Sequence, residues 1–279
     1  MRSARRFHQL DVFSSDAFLG NPLAVVHAAD DLSWLEMASF ARWTNLSETT
    51  FLVAPSSPAA DYGVRIFTPG GELSFAGHPT LGSACAWLAA GGTPQRADEV
   101  VQECGAGLIR VRHTGSQFAF AAPPLQRSGL LDEQLLMTIA AGLGVARSEI
   151  LAHQWVDNGP GWCAVMLGSA ARVLGLQPDF AILRDLALGV IGPQPPDADS
   201  LFEVRAFCPG HGPAEDPVTG SLSAGLALWL IRTGQAPATF TVSQGTALKR
   251  RGRVQIERCG DTFWVGGEVA VRVEGSVYF

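Results

Sequence analysis

Glu48 is the first candidate for chemistry in this sequence. It lies in the stretch Ser47-Glu48-Thr49-Thr50, where short hydroxyl side chains could orient a carboxyl group. Partial burial would raise the pKa of such a carboxyl toward the range in which one group can both take and return a proton. A capping role would fit the same local sequence.

Two glycine turns carry a second set of polar residues. They hold a histidine, an aspartate and two hydroxyl residues beside glycines: Gly77, His78, Asp216, Thr219, Gly220 and Ser221. Each turn precedes an apolar helix, whose N-terminus offers unpaired N–H groups and the positive end of a dipole. Two such ends in one cleft would bind an anion. We expect a carboxylate, because no phosphate motif (Gly-x-x-x-x-Gly-Lys, or Gly-x-Gly-x-x-Gly between a strand and a helix) occurs.

These residues also have plainer explanations. The glycines could serve only to let helices pack closely. His78 could make a structural hydrogen bond, and Asp216 before Pro217 is an ordinary signal for a turn or a helix start.

Other catalytic chemistries lack their residues. No Gly-x-Ser-x-Gly turn occurs, which disfavours a serine hydrolase. The single lysine, Lys249, lies beside Arg250 and Arg251 and is therefore a poor Schiff-base residue. Cys208 and His211 form one Cys-x-x-His pair with no second pair at suitable spacing. We therefore expect neither pyridoxal phosphate nor a metal.

The elements that would position these residues repeat along the chain. Arg-x-Phe-x-Pro-Gly occurs at 65–70 and at 205–210, and each copy is followed by a helix that is apolar on every side. Such a helix must be enclosed by protein, and alternating strand-like runs follow both copies. The pattern predicts an α+β fold of two pseudo-symmetric lobes, each a curled mixed β-sheet around one buried helix.

The same pattern sets the expected boundaries. We expect an N-terminal lobe over 1–121, with 268–279 as a candidate last strand, and a C-terminal lobe over 128–267. Segments 30–44 and 131–144 are amphipathic and are predicted to be outer helices, and 192–196 is predicted to be a surface linker.

Composition limits the class of protein. The chain has 279 residues, 47% of them hydrophobic and 16% charged, enough to form two cores. A net charge of −6 without a basic face disfavours nucleic acid, and the apolar stretches are shorter than the ~20 residues that cross a bilayer. No secretory apolar core follows the basic start, and five scattered cysteines indicate free thiols. We therefore expect a cytoplasmic protein.

Several motifs occur in a fixed order along nearly the whole chain. They are Asp11-Val12-Phe13, Gly20-Asn21-Pro22-Leu23-Ala24-Val25-Val26, Leu46-Ser47-Glu48-Thr49-Thr50-Phe51, Arg65-Ile66-Phe67-Thr68-Pro69 with Glu72, Gly77-His78-Pro79-Thr80-Leu81-Gly82, Glu215-Asp216-Pro217-Val218-Thr219-Gly220-Ser221 and Gln244-Gly245. Together they resemble the PhzF-like family, the phenazine-biosynthesis isomerase and its relatives, within the diaminopimelate-epimerase fold group.

The resemblance implies a cofactor-free isomerisation in a cleft between two lobes, commonly in a homodimer. The glutamate at the position of Glu48 would move a proton between two carbons on one face of a small carboxylate substrate, such as a cyclic dihydro-hydroxyanthranilate. Catalytic roles would extend to His78 and Asp216. Substrate-binding roles would fall to Asn21, Gly77, Thr219, Gly220 and Ser221.

The sequence departs from the wider fold group at one point. Epimerases and racemases of that group carry a cysteine at the start of each central helix, where this chain has Ala76 or Gly77, and Thr219. A single carboxylate moves a proton along one face, whereas two opposed thiols invert a stereocentre. The alternatives are an epimerase or lyase acting alpha to a carboxylate, and a metabolite-binding protein without chemistry.

Overall fold

The chain divides into two compact units, and it passes from one to the other after Ala121 and again after Val265. In the computed structural model, which describes residues 4–210 and 214–279, unit 1 comprises the residues up to Ala121 together with Gly266–Phe279. Unit 2 comprises Ala122–Val265. Among the described residues, no helix is long and apolar enough to span a membrane.

Unit 1 consists mainly of short strands, with two helices. Its elements in chain order are β1 (Ala4–Val12), β2 (Asn21–Val26), α1 (Trp34–Thr44), β3 (Glu48–Val53), β4 (Tyr62–Thr68), β5 (Gly71–Leu73), α2 (Gly77–Ala89), β6 (Glu99–Cys104), β7 (Gly107–Thr114) and β8 (Gln117–Ala121). The last strand of the chain, named β17 below, begins in unit 2 at Thr262 and continues through unit 1 to Tyr278.

The sheet of unit 1 closes on itself. Strand β1 pairs with β2, which pairs in parallel with β3, and the order continues through β4, β6, β7 and β8. Strand β17 then pairs with both β8 and β1, with Val12 opposite Val269 and Ala4 opposite Tyr278. A sheet that curls in this way can enclose a helix.

Helix α2 occupies the space that this sheet encloses. It packs against β1, β2, β3, β6, β7 and β8. Every residue from Gly77 to Ala84 is buried, which explains why the helix is apolar on all sides. The polar exceptions are near the start of the helix, at His78, Thr80 and Ser83.

Unit 2 follows a comparable plan. Its elements are β9 (Arg127–Gly129), α3 (Glu133–Leu143), β10 (Ala152–Asp157), β11 (Trp162–Met166), α4 (Ala170–Leu174), α5 (Phe180–Leu183), β12 (Ala187–Pro193), β13 (Phe202–Phe207), β14 (Glu215–Asp216), α6 (Gly220–Arg232), β15 (Thr239–Gln244), β16 (Gly252–Cys259) and the first residues of β17 (Thr262–Tyr278).

The strands of unit 2 surround α6. They pair in the order β9, β10, β11, β12, β13, β15 and β16. Helix α6 is buried from Gly220 to Leu230 and packs against β10, β11 and β16. The prediction of an α+β fold with one buried helix per lobe is confirmed.

The outer helices lie where the amphipathic pattern predicts them. Helix α1 begins after Ser33, whose hydroxyl accepts the Glu36 amide while the Glu36 carboxylate accepts the Ser33 amide. This reciprocal pair is a capping box. Helix α3 begins after Asp132 and ends at Gly144, which has a φ of 65°.

The predicted linker at 192–196 is partly wrong. Gly192 and Pro193 are the last residues of β12, and only the residues after them leave the strand. Gly192 is buried and packs directly against the backbone of Ser169, where a Cβ atom at position 192 would lie 2.4 Å from the Ser169 carbonyl oxygen. A glycine–proline pair that predicts a turn is here the end of a buried strand.

Candidate functional site

The first polar cluster lies in unit 1, where β3 begins and α2 begins. Glu48 is the first residue of β3 and pairs in register with Leu23 of β2. Its Oε2 atom lies 3.4 Å from Nε2 of His78, and the Glu48 side chain is 15% exposed. This separation is slightly longer than a hydrogen bond. Catalytic contacts often shorten once a substrate is bound.

Asn21 fixes the tautomer of His78. Its amide nitrogen lies 3.2 Å from Nδ1 of the imidazole. An amide nitrogen can only donate, so Nδ1 is the unprotonated acceptor and the ring proton is on Nε2, the atom that faces Glu48. The predicted contact of Asn21 with substrate stays a prediction, and the observed contact gives this residue a positioning role.

Burial keeps His78 neutral. The side chain is 3% exposed, and desolvation lowers the pKa of its imidazole to about 3. The Glu48 carboxylate favours the charged ring. A second ring proton, however, would have to occupy Nδ1, which already accepts from Asn21. His78 is therefore a neutral ring whose Nε2–H faces the Glu48 carboxylate.

The surrounding chain positions this cluster. The carboxylate of Asp11 accepts the Gly20 amide and so holds the residue before Asn21. The hydroxyls of Thr44 and Thr49 are 2.9 Å apart and connect the end of α1 to the start of β3. Helix α2 has Ala76 at its N-cap, and a methyl side chain cannot accept hydrogen bonds from the first backbone N–H groups of the helix.

The second polar cluster lies in unit 2, before and at the start of α6. Asp216 ends β14, and its Oδ2 accepts a 2.6 Å hydrogen bond from the hydroxyl of Thr219, the N-cap residue. The Thr219 side chain therefore points away from the amides that it would otherwise cap. As in α2, the first turn of α6 keeps amide donors that its N-cap side chain does not use.

Ser221 is held by two side chains that come from a different part of unit 2. The indole Nε1–H of Trp162 donates to the Ser221 hydroxyl at 3.0 Å. The Asn158 amide donates to the Ser221 carbonyl at 2.8 Å. The sequence analysis singled out neither Trp162 nor Asn158. Asn158 follows β10, and its residue type carries no signal until the end of that strand is placed beside α6.

Gln244 is a residue of this region that the sequence analysis named only as part of a motif, without a role. Its side-chain oxygen accepts the Thr219 amide at 2.9 Å, and its nitrogen donates to the Thr219 hydroxyl at 2.9 Å and to the Asp216 carbonyl at 3.1 Å. The available signal was the pair Gln244-Gly245, a polar residue followed by a glycine at the end of a strand.

The two copies of Arg-x-Phe brace the turns that precede the helices. Arg205 forms a two-pronged ion pair with Glu215, the neighbour of Asp216, and both side chains are under 10% exposed. Arg65 pairs in the same way with Glu72 of β5, at about one-third exposure. Each hairpin of the repeat therefore carries the same planar arginine–carboxylate contact.

The structure thus brings the predicted residues together in two groups. Unit 1 assembles Asn21, Glu48, Gly77 and His78, and unit 2 assembles the rest: Asp216, Thr219, Gly220 and Ser221. In residues 4–210 and 214–279 no group of three or more His, Cys, Asp or Glu side chains could hold a metal. The predicted Cys-x-x-His pair includes His211, which lies outside the described residues.

Each unit thus encloses one buried helix in a curled sheet and gathers polar side chains near the start of that helix. A family profile described as phenazine biosynthesis-like protein matches residues 10–277. The chain belongs to this family, the PhzF family, and is an isomerase.

Individual relatives agree with the family profile. The chain is 33% identical to trans-2,3-dihydro-3-hydroxyanthranilate isomerase of Pseudomonas aeruginosa, over 98% of this chain and 99% of that protein. It is 35% identical to antisense-enhancing sequence 1 of Schizosaccharomyces pombe, over 98% of both chains. A crystal structure of a PhzF family protein from Enterococcus faecalis superposes with a TM-score of 0.81 at 25% identity, covering 99% of this chain and all of that one.

Proposed function

We propose that the protein is a cofactor-independent isomerase in which Glu48 is the general base and then the general acid. The observation that carries the proposal is the Glu48 carboxylate beside a buried, neutral His78, 3.4 Å from its Nε2. A shielded carboxyl group can keep the proton it removes, because few water molecules reach it for exchange.

The proposed reaction balances without a redox partner. Glu48 removes a proton from one carbon of the substrate, and the C–H electron pair enters the adjoining π system. The π electrons shift, and the Glu48 carboxyl returns the proton to a second carbon on the same face. The His78 Nε2–H stabilises the carboxylate whenever Glu48 is ionised.

The substrate class that we propose is a small carboxylate, such as trans-2,3-dihydro-3-hydroxyanthranilate. Two observations support it, the relatives named for that substrate and the uncapped first turns of α2 and α6. We propose substrate-binding roles for Gly77 in unit 1 and for Gly220 and Ser221 in unit 2, where backbone amides at a helix start suit a carboxylate. Asp216 and Thr219 would bind the amine or hydroxyl, with the Asp216 carboxylate relaying protons.

The test is Glu48→Gln, assayed with trans-2,3-dihydro-3-hydroxyanthranilate. The amide keeps the shape and removes the base, so we expect turnover to fall by about 10² to 10⁴ while the substrate Kd changes little. Glu36→Gln is the matched control, because glutamine also serves in a capping box. Normal turnover by the Glu48 variant would contradict the proposal.

A reaction in D₂O separates the alternatives. Transfer by one shielded carboxyl gives product with less than one deuterium at the new C–H position. Full incorporation would favour an epimerase or lyase, which exchanges its proton with solvent. A ligand that binds tightly and is recovered unchanged would favour a binding protein.

We also propose that the protein is a cytoplasmic homodimer, as expected from sequence. The measurement is its mass by light scattering after gel filtration, where a mass of twice 29.5 kDa is expected. A monomer at assay concentration would refute this part alone.

A further inference from the structure

We propose that Gln244 is a positioning residue that sets the direction of the Asp216 carboxylate through the hydroxyl of Thr219. This inference rests on the proposed role of Asp216 in substrate binding. It assigns to Gln244 a function that requires no contact with the substrate.

The direction of each hydrogen bond follows from its donors. The Thr219 backbone N–H can only donate, and it lies 2.9 Å from Oε1 of Gln244, which fixes the orientation of the glutamine amide. The amide nitrogen must then donate, and it faces the Thr219 hydroxyl oxygen at 2.9 Å. The hydroxyl oxygen therefore accepts a hydrogen bond from Gln244, and the hydroxyl proton must be donated to a different acceptor.

That acceptor is Asp216. Oδ2 of its carboxylate lies 2.6 Å from the Thr219 hydroxyl, a length typical of an O–H donor to a charged oxygen. The Gln244 amide also donates to the Asp216 carbonyl at 3.1 Å. One glutamine therefore holds both the backbone and, through one hydroxyl, the carboxylate of Asp216.

The packing around Gln244 makes it a rigid reference point. It is completely buried at the end of β15, paired with Gly252 of β16 and with Val204 of β13. The next residue, Gly245, has a φ of +94°, and a Cβ atom there would lie 2.6 Å from the Pro217 carbonyl oxygen. The turn that carries Asp216 is thus pressed against the strand that carries Gln244.

The first experiment compares Gln244→Leu, Thr219→Val and Thr219→Ser. We expect the first two to lower kcat/KM for trans-2,3-dihydro-3-hydroxyanthranilate by about 10- to 100-fold, and the serine variant, which keeps the hydroxyl, to stay within about threefold. If Gln244 acts through Thr219, the fold-loss of kcat/KM in the double variant Gln244→Leu/Thr219→Val is smaller than the product of the two single fold-losses.

Gln244→Glu adds a readout that loss of packing would not produce. An ionised carboxylate is acceptor-only, so it takes the Thr219 hydroxyl proton away from Asp216. A protonated carboxyl can donate again. Activity of this variant relative to the wild type should therefore rise as the pH falls. A constant ratio across the pH range would count against the proposal.

Gln102→Leu is the matched control. Gln102 is also completely buried, donates to the Thr80 hydroxyl at 3.1 Å and accepts from Tyr62, and neither of these partners is a proposed site residue. We expect it to lower the melting temperature and to leave kcat/KM within about twofold. An equal loss of activity in this variant would mean that Gln244 contributes to stability and does not position Asp216.

Crystal structures of Gln244→Leu and Thr219→Val test the inference without any substrate. The Asp216 carboxylate should rotate or occupy two orientations, while Ser221 stays in place. An unchanged Asp216 would overturn the proposal. Failure of the proposed function would show differently, as normal turnover in Glu48→Gln with Asp216 still rotated in these variants.

Discussion

The neutral state of His78 leads to a prediction about stability in mild acid. In the unfolded chain a histidine titrates near 6.5, whereas burial lowers the pKa of His78 to about 3 in the folded protein. Between these values the unfolded chain binds a proton that the folded chain does not. The stability contributed by neutral His78 is therefore complete above pH 6.5 and decreases as the pH falls toward 3.

The magnitude follows from the two pKa values. Each pH unit inside this window costs about 1.4 kcal/mol, so lowering the pH from 7 to 5 removes about 2 kcal/mol through His78. In His78→Gln this contribution is absent. The unfolding free energy of the variant should therefore fall by about 2 kcal/mol less over the same interval than that of the wild type.

The assay is urea unfolding of both proteins at pH 7, 6 and 5, followed by circular dichroism. His27→Gln is a positive control, because desolvation and the neighbouring His8 lower the pKa of His27 to about 4. Long-range ¹H–¹⁵N spectra should show the Nε2–H tautomer of His78 with no titration between pH 5 and 8. A ring that titrates near 6.5, or equal pH dependence in wild type and His78→Gln, would refute the neutral-donor assignment.

Two further predictions concern the supports of the second cluster. Arg205→Met leaves the buried Glu215 carboxylate without its counter-charge, so chemical denaturation should show that the unfolding free energy falls by about 3–5 kcal/mol. The more exposed ion pair of Arg65 should matter less, with a fall of about 1 kcal/mol or less in Arg65→Met. Equal losses in the two variants would contradict this prediction. Trp162→Phe keeps an aromatic side chain, though a smaller one, and removes the N–H donor to Ser221, so KM should rise by about 3- to 10-fold with kcat nearly constant. An unchanged KM in steady-state assays would show that this hydrogen bond does not support substrate binding.

The sequence carries strong information about the enclosed helices. A helix that is apolar on every side, as from Gly77 and from Gly220, has few alternatives to complete burial, and both helices are buried. The repeat of Arg-x-Phe-x-Pro-Gly likewise indicated two similar lobes, because a repeated local pattern folds by the same rules each time. The resemblance to a family also singled out Glu48 and His78, and the structure places their side chains 3.4 Å apart.

The network around those residues was less accessible to sequence analysis. Asn21, Gln244 and Asn158 are polar residues whose partners are 57, 25 and 63 positions away along the chain. Such pairs depend on strand register, and local propensity contains no information about register. The same limit explains Gly192, where turn-forming residues end a strand because a neighbouring segment leaves no room for a side chain.

The course of β17 has a consequence for biosynthesis. Its residues from Gly266 onward lie between β1 and β8, so the sheet of unit 1 is closed by residues that are translated only after the whole of unit 2. At roughly 5–20 residues per second, the nascent chain waits about 8 to 30 seconds with two strand edges open. During that interval the two open edges present unpaired N–H and C=O groups with which another chain can pair.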